Sequence, residues 1–200
     1  MAQPRKVMTI FGSRPEGIKM APVVQALRRH PDWFETIVVS TGQHREQLDQ
    51  VFAAFGLAAD HDLAIMQPRQ TLTDIMVRAL SGLDQLLARE RPDLVLVHGD
   101  TSTTAAGALA AFYHKIPVGH VEAGLRTFNK YNPYPEEIHR RLAGIIADIQ
   151  FAPTPRAREH LISERIDPST IFVTGQTGVD AALIVLNQPH TFSVPALRQV

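Results

Sequence analysis

The stretch that decides the fold is RPDLVLVHGDTSTTAAGALAAFYHKIPVGHVEAG, residues 91–124. It holds two short apolar runs, Leu94–Val97 and Ile116–Val121, on either side of an alanine-rich segment, Thr103–Tyr113. Short apolar runs rich in β-branched residues are typical of buried strands, and the segment between them is long enough for a helix. Because parallel strands need a long crossover, usually a helix, the stretch predicts a strand–helix–strand unit of a parallel sheet.

The same alternation continues along the chain in both directions. Further strands are predicted at Val7–Phe11, Thr36–Ser40, Ile149–Ala152 and Ile171–Val173. Further helices are predicted from the turn after Phe11 to Arg29 (starting or bending at Pro22), and at Arg45–Phe55, Leu72–Arg89, Pro135–Ala147 and Pro155–Arg165. Buried strands that alternate with helices predict an α/β domain with a Rossmann-like, doubly wound parallel sheet of about six or seven strands.

Composition restricts the classes of function. Twenty Lys and Arg residues balance twenty Asp and Glu residues, so the net charge gives no reason to expect binding to nucleic acid or to an anionic membrane. The chain has no cysteine, which excludes disulfides, thiolate nucleophiles and cysteine-bound zinc. Its N-terminus lacks a signal-peptide pattern, and its longest apolar stretch, Ala105–Tyr113, is too short to span a bilayer. These features predict a cytoplasmic protein.

The predicted sheet ends near Gly175, and the composition changes after that point. We therefore predict a Rossmann-like N-terminal domain over residues 1–177. Residues 178–200 are predicted to be a linker or the start of a second domain that the chain does not contain.

Ligands of open α/β sheets bind beyond the carboxyl ends of the strands, so functional side chains are expected in the loops there. Three acids and two cations are expected to meet at this edge, a set that suits proton transfer beside an anionic leaving group: Asp100, Glu122, Glu136, Arg14 and Lys19. Two common nucleotide-binding motifs are absent. The loop after the first strand lacks the Lys-Ser/Thr of a phosphate-binding P-loop and the glycines of a dinucleotide fingerprint.

Each of these acids also has a purely structural interpretation. Asp100 could cap the helix that follows it, and Glu136 and Glu137 suit the first turn of a helix. Glu122 ends an apolar strand, where an ionised carboxylate needs a partner, and Arg126 is a candidate for that partner.

Arg14 and Lys19 could be ordinary solvated charges, although Arg14 lies at a glycine turn that opens a helix, a natural anion site. Two histidines, His98 and His120, are expected to pack with a satisfied hydrogen bond rather than to bind metal, since no metal-ligand spacing is present.

The motifs FGSRPEGIKMAPVV, STGQHREQLDQV, HDLAIMQPRQTLT, LVHGDTSTT, FYHKIPVGHVEAGLRT, YPEEIHRR and IFVTGQT occur in this order. Together they closely resemble the non-hydrolysing UDP-N-acetylglucosamine 2-epimerases of bacteria. The resemblance implies the N-terminal half of a glycosyltransferase-B-type fold, in which substrate binds between two Rossmann-like domains. It also implies that a second domain carries most nucleotide contacts and a catalytic histidine, so the isolated chain is expected to be inactive.

The resemblance further implies a reaction without metal or cofactor. UDP is eliminated to give 2-acetamidoglucal, a proton returns to the other face, and UDP adds back, which interconverts UDP-N-acetylglucosamine and UDP-N-acetylmannosamine. The residues that match the family's acid/base carboxylates are Asp100, Glu122 and Glu136, of which Asp100 and Glu122 also count among the substrate contacts. Arg14 and Lys19 match substrate-binding positions.

Other properties of the family are expectations as well. Many members bind a second UDP-N-acetylglucosamine as an allosteric activator, at positions that resemble Gln43, Arg69, Gln70 and the shared Glu136. A homodimer built through this domain and a role in surface polysaccharide synthesis are also implied.

Several residues depart from the family's usual motifs and leave the sugar nucleotide open. The departures nearest the expected cleft are His139, Gln176 and Gly178. A hydrolysing relative, an epimerase of another UDP-sugar, and a non-catalytic domain for sugar-nucleotide binding or dimerisation are therefore alternatives.

Overall fold

The computed structural model describes residues 3–42 and 45–189. Within them the strands are β1 (Arg5–Phe11), β2 (Phe34–Ser40), β3 (His61–Asp62), β4 (Leu94–His98), β5 (Val118–Val121), β6 (Ile149–Ala152) and β7 (Ile171–Val173). The α-helices are α1 (Arg14–Arg28), α2 (Arg45–Phe55), α3 (Leu72–Glu90), α4 (Ser102–Tyr113), α5 (Glu136–Ile146), α6 (Pro155–Ser163) and α7 (Thr177–Leu186), and one 3-10 turn covers Pro168–Thr170.

All strand pairs are parallel, and the strand order is β3-β2-β1-β4-β5-β6-β7. The chain thus winds outward from β1 in one direction and from β4 in the other, which places the topological switch point between these two strands. The predicted doubly wound sheet is confirmed. The two-residue edge strand β3 was not predicted, because His61 and Asp62 lie outside any apolar run.

Alternate residues of the central strands pack on opposite faces of the sheet, as the two-residue period of a strand requires. Met8 and Ile10 of β1 belong to the core under helices α3, α4 and α5, whereas Val7 and Phe11 belong to the core under α1 and α2. Because both faces are covered, the strands are continuously apolar, and that pattern made them recognisable in the sequence.

Helix starts differ from the prediction in two informative places. Helix α1 begins at Arg14 and contains Pro22, so the alternative of a start at Pro22 is wrong. The cap of helix α4 is Thr101, whose hydroxyl accepts a hydrogen bond from the amide of Thr104 at 3.2 Å. The capping interpretation of Asp100 is therefore wrong, and its carboxylate bonds to Arg140 instead.

Helix α7 follows the last strand and packs against α1. Its Ala181 is buried in the same core cluster as Met20 and Val24 of α1. The division of the chain after residue 177 stays a prediction, and residues 190–200 lie outside the described part. No helix among the described residues is long and apolar enough to cross a membrane.

Candidate active site

The loops after β1 and β4 and the segment before α5 surround a cleft of about 340 Å³. Its lining includes Arg14 at the start of α1, Thr101 at the start of α4, and Glu136 and His139 in the first turn of α5. Three helix N-termini therefore face one cleft. Because each N-terminus carries partial positive charge and free amide groups, this arrangement favours an anionic ligand.

Glu122 directly follows β5 in a left-handed backbone conformation, with a φ of 64°. Such a conformation costs a non-glycine residue about 1–3 kcal/mol, and residues strained in this way cluster at active sites. Its carboxylate oxygen Oε2 accepts hydrogen bonds from Lys19 Nζ at 2.6 Å and from Gln176 Nε2. The predicted closeness of Glu122 and Lys19 is thus present in the structure.

The electrostatic environment keeps Glu122 ionised. Burial raises the pKa of its carboxyl, but neighbouring positive charge and hydrogen bonds outweigh burial, and the net pKa lies below the usual value. We assign the lowering to Lys19 and Gln176 rather than to His98, because burial lowers the pKa of His98 to about 4 and leaves its ring neutral near pH 7.

Arg126 does not pair with Glu122, so that expectation from the sequence is wrong. Its guanidinium is fully buried and donates two hydrogen bonds to Glu164, from Nε at 2.9 Å and from Nη2 at 2.8 Å. This two-point contact joins the loop after β5 to the end of α6, and it fits the planar geometry of a carboxylate better than a single contact would.

Asp100 lies in the loop after β4. Its Oδ2 accepts a hydrogen bond from Arg140 Nη2. Burial is the main reason why the pKa of Asp100 is raised, and the charges of Glu122 and Glu136 add to it, although Arg140 opposes the rise. Because the charges of Glu122 and Glu136 both act on Asp100, it is near each of the other two predicted acids.

Glu136 is the first residue of α5 and lines the cleft. Its Oε2 is buried and has no hydrogen-bond partner among the described residues, and the same holds for Nδ1 of His139 one turn further on. Burial lowers the pKa of His139, which keeps its ring neutral at neutral pH. Beside the cleft there are therefore a buried acceptor and a buried imidazole nitrogen that the described part of the protein does not satisfy.

The two predicted cations differ in their surroundings. Arg14 is exposed, lines the cleft, and makes no ion pair with any described residue. Lys19 is half-buried and bound to Glu122, and neither of these two residues belongs to the cleft lining. The interpretation of both as ordinary solvated charges fits Arg14 alone.

The predicted second ligand site is only partly described. Gln43 lies outside the described residues. Arg69 is exposed in the loop between β3 and α3, and Gln70 accepts hydrogen bonds from Gln67 N at 3.0 Å and Arg78 Nη2 at 2.7 Å. Within the described residues, the cleft lining on that side is formed by Gln47 and Leu72 instead.

Glu16 is a site residue that the sequence analysis missed. Its buried carboxylate accepts hydrogen bonds from the amides of Gly12 at 3.1 Å and Ser13 at 2.8 Å, and from the hydroxyls of Thr101 at 2.7 Å and Thr104 at 3.2 Å. It thereby joins the loop that carries Arg14 to the loop that carries Asp100. The Ser-x-x-Glu spacing at a helix start was the available signal.

Arg140 and Glu137 were missed as well. Arg140 lies four residues after Glu136, a spacing that places both on one face of a helix. Glu137 is fully buried and accepts hydrogen bonds from the amides of Thr127 at 3.0 Å and Phe128 at 3.1 Å. Glu137 therefore holds the loop before α5, and its interpretation as a mere helix-start charge is incomplete.

The two buried histidines behave differently from each other. His120 contacts the carbonyl oxygen of Gly99 through Nε2 at 2.7 Å, as expected for a packed histidine. His98 has no hydrogen bond to either ring nitrogen among the described residues, which is contrary to expectation. In the part of the chain that the structure describes, no group of three or more potential ligands could hold a metal ion.

Fold and site together define a class: a doubly wound α/β domain with a cleft suited to an anionic ligand at the switch point and with acids in the loops after β4 and β5. The lipopolysaccharide galactosyltransferase WaaB shares the fold at a TM-score of 0.55 and 12% identity, over 84% of this chain and 44% of that one. This likeness shows a shared fold and nothing more.

The chain belongs to the UDP-N-acetylglucosamine 2-epimerase family, whose sequence model matches residues 25–197. The UDP-N-acetylglucosamine 2-epimerase of Bacillus subtilis is 54% identical over 195 residues, which are 98% of this chain and 50% of that protein. A crystal structure of the UDP-GlcNAc 2-epimerase from Neisseria meningitidis bound to UDP-GlcNAc matches with a TM-score of 0.90 and 48% identity, over 97% of this chain and 51% of that one. The chain spans about half the length of the curated relatives it matches.

Proposed function

We propose that the chain is the N-terminal half of a UDP-N-acetylglucosamine 2-epimerase that interconverts UDP-N-acetylglucosamine and UDP-N-acetylmannosamine. Family membership supports this proposal, and so does the related Neisseria enzyme, whose crystal structure has UDP-GlcNAc bound. The single observation that carries it is the cluster of Asp100, Glu122 and Glu136 beside Arg14 and Lys19 at one edge of the sheet.

The proposed reaction is elimination followed by addition. A base removes the proton from sugar carbon 2 while the bond from carbon 1 to the phosphate oxygen breaks, and UDP leaves with the bonding electrons. The 2-acetamidoglucal that forms then receives a proton on the opposite face of carbon 2, and UDP attacks carbon 1 again. Neither oxidant nor metal is required, and cations beside the departing diphosphate stabilise the charge that develops.

The environments of the carboxyls suggest how the roles divide. Glu122 is held ionised, which suits the group that removes a proton, and Asp100 has the raised pKa of a group that gives one. Glu136, which lines the cleft and has a buried oxygen without a partner among the described residues, completes the set. Arg14 and Lys19 are proposed to contact the substrate, including its phosphates.

We also propose a second UDP-N-acetylglucosamine as an allosteric activator at Gln43, Arg69, Gln70 and Glu136. The exposed Arg69 and the position of Glu136 in the cleft support it.

A cytoplasmic homodimer that supplies surface polysaccharide synthesis is part of the same proposal. Exposed apolar side chains near the carboxyl-terminal ends of neighbouring helices α4 and α5, among them Phe112, Tyr113 and Ile145, favour association of two copies.

The test joins this chain to a complete second half and incubates it with UDP-N-acetylglucosamine in heavy water. We expect deuterium at carbon 2 and a mixture of the two UDP-sugars, whereas the 200-residue chain alone should give no exchange. Asp100→Asn, Glu122→Gln and Glu136→Gln, made singly, should each lower turnover by about 10² or more, the usual scale of general acid–base help.

The control is Glu159→Gln, the same chemical change at an exposed position of α6. Release of free N-acetylmannosamine and UDP would indicate a hydrolysing enzyme instead, and no exchange at all would indicate a binding module. If all three carboxylate variants turned over as the control does, the proposed roles would be wrong.

A further inference from the structure

Two donors from distant parts of the chain hold the same oxygen of Glu122. Lys19 reaches Oε2 from helix α1, and Gln176 reaches it from the segment between β7 and α7. The side chain of Gln176 is half-buried, and its residue is the N-cap of α7. In the sequence Gln176 is a departure from the family motif without an evident role, and this contact gives it one.

The other oxygen, Oε1, makes no hydrogen bond to any described residue. It faces Gly99, where a Cβ atom, had the residue one, would lie 3.6 Å away. A carboxylate that exchanges a proton with a ligand needs one oxygen free to approach the reacting carbon. The contacts of Glu122 thus distinguish its oxygens: Oε2 accepts two hydrogen bonds, and Oε1 accepts none from the described residues.

Other charged or titratable groups near Glu122 cannot replace these donors. His98 of β4 has its Nε2 3.9 Å from Oε2, which is too long for a hydrogen bond, and its ring is neutral. His120 of β5 is also neutral, because burial lowers its pKa to about 4. Asp100 is an acid and repels Glu122 when it is ionised.

Lys19 alone would be an unreliable anchor during a reaction with a diphosphate. The Lys19 side chain is 29% exposed, and its ammonium group lies on a flexible stem that can turn from Glu122 toward a phosphate. Gln176 has no charge to be drawn toward phosphate. We propose that Gln176 is a positioning residue that keeps Oε2 of Glu122 fixed, so that Oε1 is the oxygen that exchanges the proton; its catalytic part rests on the proposed function.

The first test needs no activity. The carboxyl carbon of Glu122 is followed by NMR through a pH titration of the 200-residue chain, with Glu122→Gln to assign the signal. Gln176→Met, which keeps the shape and loses the donor, should move the titration midpoint upward, as should Lys19→Met. Gln25→Met is the matched control, because Gln25 donates to the carbonyl of Phe55 at 2.9 Å away from the site, and it should leave the midpoint unchanged.

Gln176→Asn gives a second, independent variant, since its amide is one methylene too short to reach Glu122. It too should move the midpoint upward, whereas an unchanged midpoint in both folded Gln176 variants would overturn the proposal.

The second test uses the chain joined to its second half. Gln176→Met should lower kcat by about 10- to 100-fold, the range typical when a group that orients a working residue is lost. KM for UDP-N-acetylglucosamine should stay within about two-fold, and the acid limb of the kcat profile should move to higher pH.

The two tests separate the two proposals. A wild-type protein without epimerisation would contradict the proposed function, while the titration would still decide the contact of Gln176. A shifted midpoint with unchanged kcat would overturn the positioning role.

Discussion

Replacing Glu16 tests whether the loops around the cleft depend on one buried carboxylate. The residue is only 2% exposed, and its Oε2 is the acceptor for the amides of Gly12 and Ser13. In Glu16→Ala both amides lose their partner inside the protein. A buried donor left unsatisfied costs about 1–3 kcal/mol, so this variant should lose about 2–6 kcal/mol of unfolding free energy.

The hydroxyls on the other side of Glu16 add little to that figure. Thr101 and Thr104 contact each other at 3.2 Å, and Thr104 also donates to the carbonyl of His98. In Glu16→Gln the amide oxygen can accept from Gly12 and Ser13 while the amide group donates to the two hydroxyls. We therefore expect the Gln variant to lie within about 1 kcal/mol of wild type, or above it.

The pH dependence has a definite sign. Burial raises the pKa of Glu16 above its ordinary 4.5, although hydrogen bonds from Thr101, Ser13 and Gly12 oppose the rise. The folded protein then binds the proton more tightly than the unfolded chain does, so ionised Glu16 costs stability above its folded pKa. As the pH falls through that pKa toward 4.5, wild type regains this stability and any advantage of Glu16→Gln should shrink.

Urea unfolding of the 200-residue chain, followed by circular dichroism at about pH 7 and about pH 5, measures all three proteins. A Glu16→Gln variant destabilised as much as Glu16→Ala at neutral pH would refute this account of the loops. So would an Ala variant that loses less than about 1 kcal/mol, since the amides of the loop would then have other acceptors.

Two further predictions use the same unfolding measurement. Glu164→Gln should cost about 3 kcal/mol at pH 7, because it leaves the fully buried guanidinium of Arg126 without its anion. The hydrogen bonds of Arg126 lower the pKa of Glu164, so the stabilisation by ionised Glu164 is present above pH 4.5 and is lost as the pH falls through the folded pKa. If wild type and Glu164→Gln differed in unfolding free energy as much at about pH 3 as at pH 7, this explanation would be wrong. Gly124→Ala should cost several kcal/mol more than Gly56→Ala: both glycines have positive φ, but only at Gly124 would the new Cβ lie 2.2 Å from the carbonyl oxygen of Ala157, whereas the space at Gly56 is open. If the two alanine variants lost the same unfolding free energy, the backbone at Gly124 would be able to shift and relieve the clash.

The sequence predicted the layout of the sheet because each strand is buried on both faces and is apolar throughout. Where burial is incomplete, as at His61–Asp62 on the edge, the pattern disappears and the strand was missed. The rule that ligands bind at the carboxyl ends of parallel strands then brought Asp100 and Glu122 together without any further information.

The pairing of side chains could not be predicted in this way. Lys19 and Glu122 are 103 residues apart, and Arg126 and Glu164 are 38 residues apart. Arg126 is the nearest arginine to Glu122 in sequence. Its guanidinium instead donates two hydrogen bonds to the carboxylate of Glu164, at the end of α6. Contacts of this kind depend on how whole helices and strands pack together, and the spacing of residues along the chain does not predict that packing.

The partners of the three acids explain why closely placed carboxylates need not behave alike. Glu122 has a cation and an amide on one oxygen, Asp100 has a guanidinium but also two acids beside it, and Glu136 has an oxygen without any partner among the described residues. Environments that push pKa values apart allow one group to take a proton while its neighbour gives one. Because Lys19 and Gln176 lie far apart in the sequence, on the neighbouring elements α1 and α7, the separation of these pKa values depends on how α1 and the start of α7 pack together.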